Sequence, residues 1–260
     1  MTFRLAFVKR GIKVKKYMIV LDKAWFGIDM LPQPTDSTCG PTCLQAVYQY
    51  YDDYISLPDI IGEVKQLKSG GTLAVNLGNH ALSRGYKATI YTYNLNLFDP
   101  SWFEGEEPDL LHKLGLQKRY KPQRRVQFAS VAYMKFLKHG GEIKFQDLSP
   151  DLIKKFLFAK QPILTGLSAT YLYGSKREVG DDVTEYDDLR GVPVGHFVVL
   201  NGYSEETGMV SIADPLKNNP MNNGQQHYKV DINRLINAIM LGIVTYDANL
   251  LIIEPRDKSQ

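Results

Sequence analysis

The sequence predicts an α+β fold, with helices in the N-terminal part and a sheet in the second half of the chain. After Cys39, apolar residues recur at helical spacing from Leu44 to Tyr51, and a stripe of this kind buries one side of a helix. In the second half, the apolar run 195–203 is followed after a short turn by the run 209–213, a pattern typical of a hairpin. We therefore expect one side of the helix that starts at Cys39 to be buried.

The other elements are indicated by apolar periodicity and by residues that start or stop helices. The helical pattern over 109–139 breaks before Pro122, because Pro cannot continue a helix. Ser149-Pro150 begins another helix, since Ser accepts from unpaired N–H groups and Pro loses no hydrogen bond in a first turn. Helices are expected at 57–67, 73–84, in two pieces over 109–139, at 152–159 and at 232–241, and strands at 88–93, 143–145, 163–167, 228–230 and 250–253.

Length and composition favour one large domain with a basic extension in front of it. The 260 residues are 44% hydrophobic, which supports a sizeable core, and no linker or internal repeat divides them. We assign residues 30–256 to the domain and residues 1–29 to an extension that forms a β-hairpin turning at Arg10-Gly11. The basic side chains of the extension indicate a solvated strand face, and a binding arm for an acidic partner is the alternative.

Composition also argues against several classes of protein. A net charge of +3 is too small to indicate nucleic-acid binding, and no apolar run approaches the roughly 18 residues of a membrane span. The two cysteines lie four residues apart and make no disulfide framework, so we expect a cytoplasmic protein. The acidic run 178–188 lacks the ligand spacing of an EF-hand, and we expect no metal and no cofactor. This run is interpreted as a solvated loop, with a lid or rim of a site as the alternative.

The segment around Cys39 has the features of a nucleophile at the start of a helix. Ser37 and Thr38 are N-cap residue types, and Pro41 is suited to the first helical turn. A helix N-terminus favours a negative thiolate over a neutral thiol, so Cys39 is expected to be reactive. Gln33 lies on the incoming loop, from which its amide can donate to an oxyanion.

Two further segments supply the partners that a nucleophilic thiol needs. His196 opens one strand of the predicted hairpin and Asp214 follows the other, so both lie at the same end of the sheet. An imidazole there can take the proton of the thiol, and a carboxylate can fix the tautomer of the ring. The remaining histidines lack such a setting, although His227 is an alternative base if its loop folds over Cys39.

Cys43 and the basic stretch 113–138 have simpler interpretations. Cys43 is one helical turn after Cys39 and is expected to pack as a small apolar residue, with a redox pair as the alternative. The basic stretch holds eight Lys or Arg and no acidic residue. Its aromatic residues fall on the apolar stripe, so a solvated helix face is favoured over a surface that stacks nucleic-acid bases.

These motifs together resemble a known family. The segments 33–44, 195–203 and 210–215 resemble the C39-type peptidases of the papain-like superfamily, in the order Gln, Cys, His, Asp. The likeness includes Pro162-Ile163-Leu164-Thr165-Gly166-Leu167 and extends over roughly residues 30 to 255. Within this family, the sequence is similar to a C39-like branch that is found in bacteria, sometimes alongside ATP-grasp ligases.

The resemblance implies a papain-like cysteine peptidase fold, with the nucleophile helix packed on a mostly antiparallel sheet that carries the His and the Asp. It implies Cys39 as nucleophile, His196 as general base, Asp214 as orienting acid and Gln33 as oxyanion donor. It also implies a peptide or protein substrate, and an ATP-grasp ligase or peptide-modifying enzyme as a partner.

The sequence therefore predicts a cysteine peptidase or amidase that works through a Cys39 thioester. Two alternatives stay open at this point. The acyl group could pass to an amine or thiol, as in the phytochelatin synthases, or the chain could be a non-catalytic module that binds an acidic partner through 113–138.

Overall fold

The computed structural model describes residues 22–67, 70–105, 109–180 and 185–256. Most of the predicted N-terminal extension, including its hairpin, lies outside these residues, as do residues 181–184 of the acidic run. No helix in the described ranges is both long and apolar enough to cross a membrane.

A mostly antiparallel sheet forms the centre of the described structure. The strands are β1 (Lys23–Trp25), β2 (Lys87–Thr92), β3 (Glu142–Lys144), β4 (Ile163–Ser168), β5 (Glu178–Val179), β6 (Glu185–Tyr186), β7 (Gly195–Ser204), β8 (Met209–Ala213), β9 (His227–Asp231) and β10 (Asn249–Glu254). The order in the sheet is β3-β2-β10-β4-β7-β8-β9, with β1 beside the second half of β7, and among the described residues only β2 and β3 are paired in parallel. Two short strands, β5 and β6, pair separately.

Helices pack around this sheet, and most of them lie where apolar periodicity predicts. Within the described residues they are α1 (Cys39–Tyr50), α2 (Leu57–Glu63), α3 (Ala74–Ser83), α4 (Leu110–Tyr120), α5 (Arg124–Lys138), α6 (Pro150–Phe158), α7 (Ala169–Tyr173) and α8 (Ile232–Leu241), with 3-10 turns at Pro100–Phe103 and Gly242–Thr245.

The helix α1 is at the centre of the core. Its residues from Cys39 to Tyr48 are all buried, and it packs against β7, α2 and α3. Gly40 allows this close approach, because a Cβ there would come within 2.7 Å of Thr72 Cγ2 and 3.3 Å of the Phe197 ring. The predicted packing of the nucleophile helix on the sheet is confirmed, and with it the α+β fold class.

Several short elements differ from the prediction. The helix α2 ends at Glu63 rather than near 67, because Val64 adopts extended backbone angles. The helix α7 and the strands β1, β5 and β6 were not predicted, and each is too short to show a period in the sequence. Within the acidic run 178–188, which the sequence analysis interprets as a solvated loop, Glu178–Val179 and Glu185–Tyr186 pair as the short strands β5 and β6.

The basic helix α5 buries aromatic side chains in the core, as the apolar stripe predicts. Tyr120 at the end of α4 is instead 81% exposed, so the expectation that the aromatic residues of 113–138 fall on the stripe was wrong at this position. Tyr133 and Phe136 are both buried, and Tyr133 packs edge-on against Phe98 with ring centroids 4.9 Å apart. The side chain of Arg125 reaches out to donate to the carbonyl oxygen of Thr245 at 2.8 Å. These buried rings offer no stacking platform for bases.

Candidate active site

Cys39 is the first residue of α1, and the residue as a whole is about 9% exposed. Thr38 occupies the N-cap position, but its hydroxyl donates to the carbonyl oxygen of Thr35 at 2.8 Å and makes no bond to a helix N–H group. The expectation of a side-chain cap was therefore wrong. Within the described part of the chain, no acceptor pairs with the backbone N–H of Cys39, which leaves that donor for a ligand.

His196, the second residue of β7, pairs with Asp214 directly after β8. Its Nε2 atom lies 2.8 Å from Asp214 Oδ1, and both side chains are buried. Burial by itself lowers the pKa of His196, but the charge of Asp214 and hydrogen bonds to Asp214 and Cys39 outweigh burial and raise this pKa to about 10. Because Nε2 is bonded to Asp214, Nδ1 is the ring nitrogen left to face the sulfur.

Asp214 is a fully buried carboxylate that accepts four hydrogen bonds. Its Oδ1 accepts from His196 and from the backbone N–H of Leu216 at 2.8 Å. Its Oδ2 accepts from the hydroxyls of Tyr173 at 2.7 Å and Tyr228 at 2.6 Å. Burial raises the pKa of Asp214, but the charge of His196 and these hydrogen bonds reverse the effect and hold the pKa below its ordinary value.

Backbone and side-chain bonds hold the loop before Cys39 against the segment that carries Asp214. The backbone N–H of Gln33 donates to the carbonyl oxygen of Pro215 at 2.9 Å. The amide of Gln226 donates to the carbonyl oxygens of Leu31 at 3.0 Å and Asp214 at 3.2 Å. These bonds bring segments that are far apart in sequence to one end of the sheet.

The side chain of Gln33 lies in this loop with one polar atom satisfied. Its Nε2 donates to the carbonyl oxygen of Thr35 at 3.0 Å, which uses one of the two amide hydrogens. Its Oε1 is buried and has no hydrogen-bond partner among the described residues. The second amide hydrogen stays available for a ligand.

Cys43 is a core residue and not part of the reactive group. It is fully buried, and its thiol donates to the carbonyl oxygen of Phe197 at 3.3 Å. Burial, followed by the nearby Cys39 and Asp214, raises the pKa of Cys43 well above its ordinary value. A neutral, inert thiol follows.

The other histidines of the predicted set have different partners. His80 pairs with the hydroxyl of Tyr48 at 2.8 Å and with Glu63 at 2.9 Å, inside the helical part. His227 is exposed at the start of β9, and the Asp214 carboxylate is bonded to His196 instead. His196 is therefore the imidazole that the fold places beside Cys39.

Asp247 is a second buried carboxyl group near His196 and was not predicted from the sequence. It accepts from the hydroxyl of Thr245 at 2.9 Å and lies between Tyr246 and Ala248, which have positive φ angles of 69° and 53°. Burial raises the pKa of Asp247 to about 7, against smaller opposing effects of Thr245, Arg125 and His196. No sequence motif marks this residue.

Tyr173 and Tyr228 were also not assigned to the site from sequence. A signal for Tyr228 existed in the strand register, since it pairs with Ile212, two residues before Asp214 and on the same face. Among the described residues, no three His, Cys, Asp or Glu side chains form a group that could hold a metal ion.

Comparisons with known proteins identify the fold. No protein-family model matches the chain, and no curated protein matches it. A crystal structure of a C39-like peptidase from Bacillus anthracis superposes with a TM-score of 0.50 at 17% identity, over 91% of this chain and 99% of that chain. The chain has the C39-like peptidase fold.

Two further solved structures are similar to this C39-like fold at lower scores. One is a double-glycine-motif protease from an AMS/PCAT transporter, solved with its leader peptide, at 15% identity and a TM-score of 0.43 over 90% of this chain and 95% of that one. The other is the peptidase domain of Streptococcus ComA, at 13% identity and 0.42 over 88% and 100%.

Proposed function

We propose that the chain is a cysteine peptidase or amidase that hydrolyses a peptide or amide bond through a Cys39 thioester. The observation that carries this proposal is the convergence of Cys39, His196 and Asp214 from three separate segments. The C39-like fold supports a peptide or protein as the substrate. An ATP-grasp ligase partner stays a prediction from the sequence resemblance.

In the first half of the reaction, Nδ1 of His196 takes the proton of Cys39 and the thiolate attacks the substrate carbonyl carbon. The charge that develops on the carbonyl oxygen is stabilised by the backbone N–H of Cys39 and by the amide of Gln33. His196 then gives its proton to the leaving amine, the C–N bond breaks and a thioester forms on Cys39.

In the second half, water attacks the thioester and His196 takes one of its protons. The tetrahedral species collapses to a carboxylic acid product, and the proton returns to the sulfur. Asp214 keeps the imidazole in the tautomer with the proton on Nε2 throughout and stabilises the imidazolium that forms in both halves.

Selective alkylation tests the proposal without knowledge of the substrate. We expect iodoacetamide at mildly acidic pH to label Cys39 far ahead of Cys43, because the imidazolium of His196 stabilises the Cys39 thiolate. Cys39→Ser is expected to remove the label, and His196→Ala to remove the preference. Equal labelling of both cysteines in the folded protein would contradict the proposal.

The acceptor of the acyl group is tested separately. Once a substrate is found, mass analysis of the products with and without an added amine distinguishes hydrolysis from transfer. We expect the free acid in both cases, and an amide adduct formed at the expense of the acid would favour the transferase alternative.

A further inference from the structure

The Asp214 carboxylate is held by two tyrosines from different parts of the fold. Tyr173 is the last residue of α7, and Tyr228 is the second residue of β9. Their hydroxyls donate to the same oxygen, Oδ2, at 2.7 and 2.6 Å. The opposite oxygen, Oδ1, faces His196 at 2.8 Å. The two tyrosines thus hold the carboxylate through Oδ2, while Oδ1 bonds to the imidazole.

Both tyrosines can act only as donors to this carboxylate. Burial, followed by the charge of Asp214, raises the pKa of each hydroxyl far above its ordinary value, so both stay protonated. The ring of Tyr173 also packs beside the imidazole of His196, with centroids 6.2 Å apart. Tyr173 therefore contacts both members of the His196–Asp214 pair.

We propose that Tyr173 and Tyr228 are positioning residues for the reaction: together they keep Asp214 ionised and hold its Oδ1 in line with Nε2 of His196. This inference depends on the proposed function for its catalytic meaning. The arrangement matters because Asp214 is completely buried, and a buried carboxylate oxygen without hydrogen-bond donors is strongly destabilised.

The inference predicts what happens when the hydroxyls are removed. In the Tyr173→Phe/Tyr228→Phe variant, Oδ2 has no side-chain donor, and the buried carboxyl group relieves this by binding a proton or by turning. Protonation removes the counter-charge of His196, and turning weakens the hydrogen bond to it. Burial then dominates, and the pKa of His196 falls.

Other ionisable groups near His196 are kept unchanged in the experiment. They are Cys39 on α1, Glu178 on β5 and Asp247 after the second 3-10 turn, each of which interacts with His196. Tyr171→Phe serves as the matched control, because Tyr171 lies on the same helix as Tyr173. Among the described residues, its hydroxyl makes one long hydrogen bond, accepted from Asn237 at 3.5 Å.

The measurement is an NMR titration of His196 in the full chain, together with the pH dependence of Cys39 alkylation. We expect the pKa of His196 to fall by about one unit or more in the double variant, by less in each single variant, and not in Tyr171→Phe. The rate of Cys39 alkylation at mildly acidic pH should fall most in the double variant, less in each single variant and not in Tyr171→Phe.

An unchanged His196 pKa in a folded double variant would overturn the inference. If the double variant does not fold, Tyr228→Phe alone decides, since its loss of one donor should still lower the pKa measurably. The titration does not depend on catalysis. A wild-type Cys39 that fails to react with iodoacetamide would contradict the proposed function, while the His196 titration would still test the role of the tyrosines.

Discussion

The Nε2 atom of His196 lies 2.8 Å from Oδ1 of Asp214, and the two groups form a buried ion pair whenever the imidazole is protonated. The pKa of His196 is raised above its ordinary value of 6.5, and the pKa of Asp214 is lowered below its ordinary value of 3.8. The raised pKa of His196 stabilises the fold below pH 6.5, and this stabilisation is lost as the pH rises through the folded pKa of His196. The lowered pKa of Asp214 stabilises the fold above pH 3.8, and this stabilisation is lost as the pH falls through the folded pKa of Asp214.

Asp214→Asn is therefore expected to destabilise the protein most between these two ordinary values. A loss of about 3 kcal/mol in the free energy of unfolding is reasonable for breaking a buried pair. The variant should also lose Cys39 alkylation at mildly acidic pH, since the buried imidazole of His196 no longer holds its proton. Urea unfolding of both proteins across the pH range measures the first effect.

The control is Asp188→Asn, which changes an exposed carboxylate whose partner is the exposed side chain of Lys176. We expect that variant to change stability little at any pH. A stability difference between wild type and Asp214→Asn that does not vary with pH would contradict the ion-pair interpretation.

Much of the fold follows from sequence because its long elements have strong periods. The stripe of α1 and the continuous apolar run of β7 each need burial on a defined side, and both elements lie where predicted. The short elements do not follow, because five residues in α7 and two in β5 contain too few positions to reveal a period.

The residues of the candidate site likewise include some that can be predicted from the sequence and some that cannot. Cys39 and His196 stand at the starts of the long elements α1 and β7, and Asp214 follows β8 in the same predicted hairpin, so all three could be predicted from the sequence. Tyr228 depends on the register between β8 and β9, and Asp247 on a loop that returns to the sheet from far along the chain. Long-range packing of this kind leaves no local pattern.

Asp247→Asn is expected to stabilise the protein more at high pH than at low pH. Burial raises the pKa of Asp247 to about 7, so the folded state binds a proton that the unfolded state has released, and stability falls as the pH rises from 3.8 through about 7. We expect the change in unfolding free energy on substitution to be roughly 2 kcal/mol more favourable at pH 8 than at pH 5.

Denaturant unfolding at both pH values measures this difference, with Thr245→Val as a companion variant. That substitution removes the hydroxyl bonded to Asp247 at 2.9 Å and should strengthen the pH dependence, because the bond favours the ionised form. A substitution effect that is the same at pH 5 and pH 8 would show that Asp247 is ionised throughout this range.

Gly195→Ala tests how tightly the start of β7 is packed next to His196. A Cβ at Gly195 would come within 2.6 Å of Thr245 Oγ1 and closer still to Asp247 Oδ2. We expect a loss of about 1–3 kcal/mol in stability and slower alkylation of Cys39, because the strand must shift at the residue before the imidazole.

Gly27→Ala is the matched control, since a Cβ there would meet no atom within 4 Å and the backbone has no positive φ. Thermal unfolding and alkylation rates compare the two variants. Equal stability of both would mean that the contacts around Gly195 relax without cost.

Cys43→Ala distinguishes a core role for this thiol from a redox role. Both cysteines are free, and Cys43 is fully buried against the Phe197 carbonyl group. If it only fills space, removing its sulfur should cost about 1 kcal/mol in stability and leave the rate of Cys39 alkylation unchanged. Alkylation kinetics before and after mild oxidation are the measurement. If the two cysteines form a redox pair, oxidation should protect Cys39 from alkylation in the wild-type protein but not in the Cys43→Ala variant. A core role for Cys43 predicts the same response to oxidation in both proteins.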